Sequence, residues 1–337
     1  MVRTKTNLIV ISFKKYFLTI ICLVFMFSLV VFSESNLIAA KYGLVLWATS
    51  VVPSLFPFLV ATELLCNTNL IYIVGKYLKN IVNKVFNVSG EGALVLIMGI
   101  ISGYPTGAKV IVNLKENEVL SKEEAERLLA FTNNSGPLFI LGTIGISFLN
   151  SKKIGYILLI THILACLTVG YIFRNWKKDK TRTFNTYKND SLKNNISTSE
   201  FGEILGNSIK KSIGTILNIG GFIVIFSVII SILEKSNIFN IILNFTNSIG
   251  LEGELIVGVI KGVVELTNGT KYVSLLGTYS FNIAILAFLI GFGGISVMLQ
   301  VYSIISKENI SIKPYIYGKF LQGIFAFLYT LIFLFFM

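Results

Sequence analysis

Two uninterrupted apolar runs constrain this chain most: Ile154–Phe173 (IGYILLITHILACLTVGYIF) and Ile213–Leu233 (IGTILNIGGFIVIFSVIISIL). Each is about the 20 residues that an α-helix needs to cross the hydrocarbon of a bilayer. Tyr16–Phe32 is shorter but nearly pure, and Tyr315–Met337 closes the chain. Transmembrane β-strands alternate apolar and polar residues, and these runs do not. The expected fold class is an all-α polytopic membrane protein. Composition agrees: charged residues make up 14% of the 337, where soluble domains carry about 25%.

The net charge of +12 would suggest nucleic acid in a soluble protein. Here it reads as Lys and Arg collected in cytoplasmic loops, and no nucleic-acid motif accompanies it. Cys22, Cys66 and Cys166 are odd in number and lack CxxC spacing, so no disulfide framework or metal site is expected. The lone His162 reads as a packed or interior-facing side chain. There is no HExxH, GxSxG or Walker loop, so neither an enzyme nor a cofactor is expected.

At the N-terminus, Arg3, Lys5, Lys14 and Lys15 precede the first apolar run. Val31-Phe32-Ser33 is a poor cleavage site, so residues 1–36 read as a retained anchor helix with its start in the cytoplasm. Arg174–Gly202 carries seven basic and three acidic residues among Asn, Ser and Thr. It reads as a mobile cytoplasmic linker over 174–208. The linker separates two membrane units, 37–173 and 209–337.

The two units look related. Ser102-Gly-Tyr-Pro-Thr-Gly-Ala-Lys109 in the first matches Glu265-Leu-Thr-Asn-Gly-Thr-Lys271 in the second, with Lys109 and Lys271 at an offset of 162 residues. Gly92 and Gly253 precede them at an offset of 161. Each unit begins with a helix carrying weakening residues, Pro53 and Pro57 or Gly220 and Gly221. Each continues into a second interrupted apolar segment, 131–139 or 290–298. With the N-terminus and linker both cytoplasmic, the first unit crosses an odd number of times, which makes the repeats inverted. Lys307–Lys319 then faces the cytoplasm and Met337 ends outside.

The breaks are where function is expected. Unpaired backbone at membrane depth survives only when buried in protein or lining a wet cavity. Ser102, Pro105, Thr106 and Gly107 should break one helix. Glu265, Thr267, Asn268 and Gly269 should break another, with the Asn-Gly pair favouring a turn. Half-helix N-termini attract anions. Lys109 and Lys271 stand just past the breaks, so the pair of sites suits a small carboxylate-bearing solute. Asn133, Asn134 and Ser135, beside Gly136-Pro137, suit either a re-entrant hairpin tip or an ordinary loop. Lys261 and Glu265 are four apart and can face each other; Glu265 could instead carry a coupling cation or proton. Ser121-Lys-Glu-Glu124 is a capping box that starts a helix at Lys122, and the loop 115–127 reads as an exposed or interfacial connector.

Three stretches together carry a resemblance: 102–109, Ser121-Lys-Glu-Glu-Ala-Glu-Arg-Leu-Leu129, and Thr132-Asn-Asn-Ser-Gly-Pro-Leu-Phe-Ile140. They resemble the YlbJ-type sporulation integral membrane proteins, from about Trp47 to the end of the chain. Glu265-Leu-Thr-Asn-Gly269 is similar to the Glu-x-Thr-x-Gly of the wider Gate (nucleoside-recognition) group. The resemblance implies an endospore-forming bacterium and an architecture like that of concentrative nucleoside transporters, with two broken helices and two re-entrant hairpins. It also implies movement of dipicolinic acid, an aromatic dicarboxylate, across the outer forespore membrane. Tyr104 and Gly136 depart from the family pattern, where Phe and Ala or Ser are expected. The partners expected are the small anionic solute and the lipid bilayer, with room for a homo-oligomer. Nucleoside or nucleobase transport and a non-transporting scaffold in spore assembly are the alternative functions.

Overall fold

A computed structural model describes residues 2–66, 68, 70–177 and 198–336. The mobile linker expected of 174–208 falls largely on 178–197, outside the described residues. Its last part is helical, because α9 already begins at Thr198.

Every regular element among the described residues is helical. The anchor α1 (Val2–Val31) and α2 (Ser33–Leu46) come first, and a wider π-helical turn at Trp47–Val51 leads into α3 (Val52–Cys66). Next come α4 (Leu70–Phe86), α5 (Gly90–Ser102), α6 (Thr106–Glu116) and α7 (Lys122–Thr132). A π-helical segment, Phe139–Phe148, and α8 (Lys152–Phe173) precede the linker. After it run α9 (Thr198–Lys235), α10 (Ile238–Ser248), α11 (Gly253–Val264) and α12 (Leu266–Leu275). The chain closes with α13 (Ser280–Phe292), α14 (Gly294–Ile305) and α15 (Lys313–Phe335). Among the described residues, five stretches are long and apolar enough to cross a membrane: Ser33–Leu65, Lys152–Phe173, Phe201–Lys235, Ser280–Glu308 and Lys313–Phe335. A sixth is added if α4 and α5, bent by 85°, count as one.

Local signals set the helix starts. The hydroxyls of Ser89, Ser121 and Ser151 accept from the amides of Gly92, Glu124 and Ile154, capping α5, α7 and α8. The capping box at Ser121 is therefore present as expected. The exposed-connector reading of 115–127 holds for Glu116, Asn117 and Glu118 but is corrected at its end. Glu124–Arg127 are buried, because α7 carries the chain inward from this end.

Among the described residues, the two largest of four apolar clusters are stacked at the centre of the helices. The core on the linker side takes Val82 and Phe86, α5–α7, Cys166 to Phe173, Val297 to Ile305, and Tyr315. The far core takes Phe139 to Leu149, Leu158, Leu255, Leu266, Val273, Ile283 to Ile290 and Ala326. Tyr104 packs against both. The α2–α3 rod runs antiparallel to α9. Ser231 donates to the Ser35 carbonyl, Trp47 Nε1 to Ile216 O at 2.9 Å, and Glu63 reaches Lys211.

The linker side is fixed by polar contacts around the end of α8. Asn87 donates to Arg174 O, Arg127 to Trp176 O, and Lys177 pairs with buried Glu126 at 2.9 Å. Glu126 also accepts from Trp176 Nε1 and Ser311 N, and Lys115 pairs with Glu308.

Two roles expected from the sequence exchange places. The break at Gly103-Tyr104-Pro105 does not interrupt one through-going helix. It folds α6 back on α5, so that Gly99 and Gly107 both press on the Thr132 carbonyl. A Cβ at either would lie 1.6 or 2.5 Å from that oxygen. Asn133–Gly136 is not a hairpin tip, because α7 and Phe139–Phe148 continue onward from one core to the other. The second half repeats the pattern. α12 folds back on α11, bringing Gly269 against Gly262, where a Cβ would lie 2.0 Å from the Gly262 Cα. Gly293 and Gly294, at φ of +84° and +83°, interrupt the span from α13 to α14. The unwinding between α11 and α12 is confined to Glu265. Asn268-Gly269, expected as a turn, lies within α12.

Candidate functional site: two hairpin tips around a central cavity

Backbone close contacts put each hairpin tip beside an interruption. A Cβ on Gly103 (φ +78°) would lie 2.8 Å from the Gly136 amide nitrogen. One on Gly294 would lie 3.0 Å from the Gly262 carbonyl and 3.2 Å from Leu266 N. Only glycine permits backbone to approach backbone this closely at a positive φ. The two tips meet across a cavity of about 50 Å³, lined by Tyr104 and Gly136 from the first half and by Glu265, Thr267 and Gln300 from the second. Ile219 and Ile223, near the middle of α9, form its wall.

At the second tip, Glu265 is buried and caps α12. Its carboxylate accepts from Thr267 N at 3.1 Å and Asn268 N at 2.8 Å. The half-helix N-terminus expected to await a solute anion is thus occupied by the chain's own carboxylate. Lys261 does not face Glu265 as expected. It pairs with Glu234 at 2.6 Å and lies over the Tyr272 and Phe239 rings. Asn268 Nδ2 donates to Ser227 Oγ.

At the first interruption a buried polar network replaces the missing helical bonds. Asn133 Oδ1 accepts from Ala108 N, and its Nδ2 donates to Tyr315 OH. Asn134 Nδ2 donates to Phe131 O and to Cys166 Sγ. The Ser135 amide donates to His162 Nε2, and the Ser135 hydroxyl shares a 2.5 Å hydrogen bond with Tyr104 OH. Tyr104, the departure from the expected Phe, thus supplies a hydroxyl at the cavity edge. His162 is packed in the interior, with Nδ1 unpartnered.

Sequence reading missed the centre of this network. Lys319 is fully buried, and its ammonium donates to Asn133 O and to Gln322 Oε1, both at 2.8 Å. Gln322 Nε2 in turn donates to Asn134 Oδ1. Among the described residues no carboxylate lies within ion-pair reach of Lys319. Of the stretch 307–319 expected to face the cytoplasm, Lys307 and Lys313 are exposed, but α15 starts at Lys313 and carries Lys319 inside. The signal was available: Lys319 and Gln322 are a polar pair at i, i+3 within an apolar helix, flanked by Gly318 and Gly323.

The two lysines singled out from the sequence do not converge. Lys109 donates to Thr215 Oγ1 and lies 3.7 Å from Glu63. Lys271 lies over the ring of Tyr42, beside Gly43, which packs on Ser227. Thr215 and Ser227 are about 18 Å apart along α9, and neither lysine lines the central cavity. Ser102 shares a hydrogen bond with Thr62, while Thr106 Oγ1 is buried without a partner.

The fold and site define a multi-pass helical membrane protein with two hairpin tips and two polar interruptions gathered at its centre. Residues 48–169 match the family model Gate, described as nucleoside recognition. The sporulation integral membrane protein YlbJ of Bacillus subtilis (strain 168) is 34% identical over 318 residues, covering 89% of this chain and 78% of that protein. No solved structure matches. The chain belongs to the YlbJ family of sporulation integral membrane proteins.

Proposed function

We propose that this protein transports a small anionic solute, dipicolinic acid, across the outer forespore membrane, through two inverted repeats like those of concentrative nucleoside transporters. The observation that carries this reading is the meeting of both hairpin tips and both interruptions at one buried cavity. Broken backbone is expected at membrane depth only where it lines such a site, and paired broken elements mark the substrate site of many secondary transporters.

The direction of the elements supports inversion. The first interrupted helix passes from the linker-side core (α7) to the far core (Phe139–Phe148). The second passes from the far core (α13) to the linker-side core (α14). The preference for an anion is supported by Lys319. Its uncompensated ammonium stands one layer behind Tyr104, near Gly293, and in a low dielectric such a charge acts over several ångströms.

Uptake of labelled dipicolinate into proteoliposomes tests the reading. The wild type should accumulate it, and Lys319→Met and Glu265→Gln should each reduce uptake by at least about tenfold, the equivalent of 1.4 kcal/mol. Absence of uptake by the wild type, or full uptake by both variants, would refute it. The Gate match favours a nucleoside as the second reading. A thermal midpoint raised by nucleosides and unmoved by dipicolinate would select it.

A further inference from the structure

On the linker side of the central cavity, the same three elements carry a second polar cluster. Descending α3, Ser54 and Leu55 of the cavity give way to Leu59, Thr62 and Glu63. On the first hairpin, Tyr104 gives way to Thr106 and Lys109. On α9, Ile219 is followed by Thr215, Ser212 and Lys211, about 12 Å farther along the axis. A buried apolar layer of Leu59, Ile216 and Ile219 separates the two levels.

In the cluster one carboxylate is shared by two ammonium groups. Glu63 Oε1 lies 3.7 Å from Lys109 Nζ, and Oε2 lies 3.7 Å from Lys211 Nζ. The two cations thus share a single carboxylate. Hydroxyls without partners stand on the two helices that carry its cations. Thr106 Oγ1 lines the cleft, and Ser208 and Ser212 lie four residues apart on one face of α9; all three are buried and unpaired. An unpaired buried hydroxyl costs free energy, which a visiting acceptor would recover.

We infer that this cluster is a second carboxylate-binding station at the linker-side mouth of the cavity, in which Glu63 holds the place that a solute carboxylate takes. The inference rests on the anionic-solute reading. An arriving carboxylate meets two ammonium groups and the free Thr106 hydroxyl. In displacing Glu63 it releases a side chain that joins α3 to both α6 and α9. The path to the apolar layer then opens from the linker side.

The test uses the full chain in phosphatidylcholine nanodiscs, with Cys22 and Cys66 replaced by Ser and with Ser212→Cys introduced. The modification rate is compared for an anionic sulfonatoethyl and a cationic trimethylammonioethyl methanethiosulfonate. The anionic reagent should react faster. Glu63→Gln should raise its rate by about tenfold, and Lys211→Gln, at an exposed position that leaves folding intact, should lower it by a similar factor. Dipicolinate should slow the reaction. An anion preference without dipicolinate protection supports the station and removes dipicolinate as its solute, so the two readings fail separately. The inference is overturned if Ser212→Cys is unreactive, or if both reagents react alike whatever residue 63 is. It is also overturned if phosphatidylglycerol protects where dipicolinate does not, because the site then belongs to a lipid headgroup.

Discussion

Lys319 Nζ donates to the backbone carbonyl of Asn133 at 2.8 Å, so a cation carried by α15 closes the open end of α7. The last carbonyls of a helix have no partner within it, and hydrocarbon offers no water in exchange. Lys319→Met keeps the length of the side chain but leaves Asn133 O and Gln322 Oε1 unpaired. The expected loss is about 1–3 kcal/mol, read as a lower unfolding midpoint in detergent. A midpoint at or above that of the wild type would mean that burying the ammonium costs more than its two bonds return.

Gly269→Ala should force the second hairpin open. The new Cβ would lie 2.0 Å from the Cα of Gly262 and 2.1 Å from its nitrogen, and backbone cannot rotate away as a side chain can. Overpacking of this kind costs about 1–3 kcal/mol or more. Gly214→Ala in α9 is the control: nothing lies within 4 Å of its Cβ position, and helix propensity predicts a gain of up to about 1 kcal/mol. Equal unfolding midpoints for the two variants would contradict this account of the hairpin.

Glu126→Gln should loosen the linker side. The buried carboxylate takes bonds from Trp176 Nε1 at 3.0 Å, Lys177 at 2.9 Å and Ser311 N at 3.3 Å, joining the end of α8 to the start of α15. An amide keeps one acceptor oxygen and loses the charge. The expected cost is about 1–3 kcal/mol, whereas Glu116→Gln, outside this cluster, should leave the midpoint unchanged.

Much of this architecture was legible in the sequence because the bilayer leaves few options. Apolar runs of spanning length gave the long helices, and Gly-Pro and Gly-Gly clusters gave the places where helices stop. What residue spacing could not give is the direction the chain takes after a break. Gly103-Tyr104-Pro105 and Asn133–Gly136 both read as interruptions. Whether the next helix turns back or continues depends on which glycines find a backbone to press against: Gly99 and Gly107 meet Thr132 O, and Gly269 meets Gly262. The buried cation behind the central cavity was not legible for a related reason. Lys109 and Lys271 stood beside the breaks in sequence, but Lys319 reaches Asn133 from 186 residues away, a distance that local patterning does not bridge.

The proposed inversion of the two halves makes a sharp prediction about sidedness. The end of α8, the Lys115–Glu308 pair and the start of α15 share the linker side. α15 runs antiparallel to α8 from there, with Gln322 near Cys166 through Asn134 and Thr330 bonded to Thr161. Its end at Phe335 therefore lies on the far side. The linker side holds Lys84, Lys115, Lys122, Arg174, Lys177, Lys211, Lys307 and Lys313, whereas the loops of the far side hold Lys152, Lys153 and Lys235. The positive-inside rule makes the richer side cytoplasmic. Single cysteines at the exposed positions Lys177, Lys307, Leu275 and Phe336 report this directly in intact cells. A membrane-impermeant maleimide should label Leu275→Cys and Phe336→Cys from outside. It should reach Lys177→Cys and Lys307→Cys only after permeabilisation. Labelling of Lys177→Cys and Phe336→Cys from the same side would remove the inverted repeat, and with it the argument that the two hairpin tips reach the cavity from opposite faces.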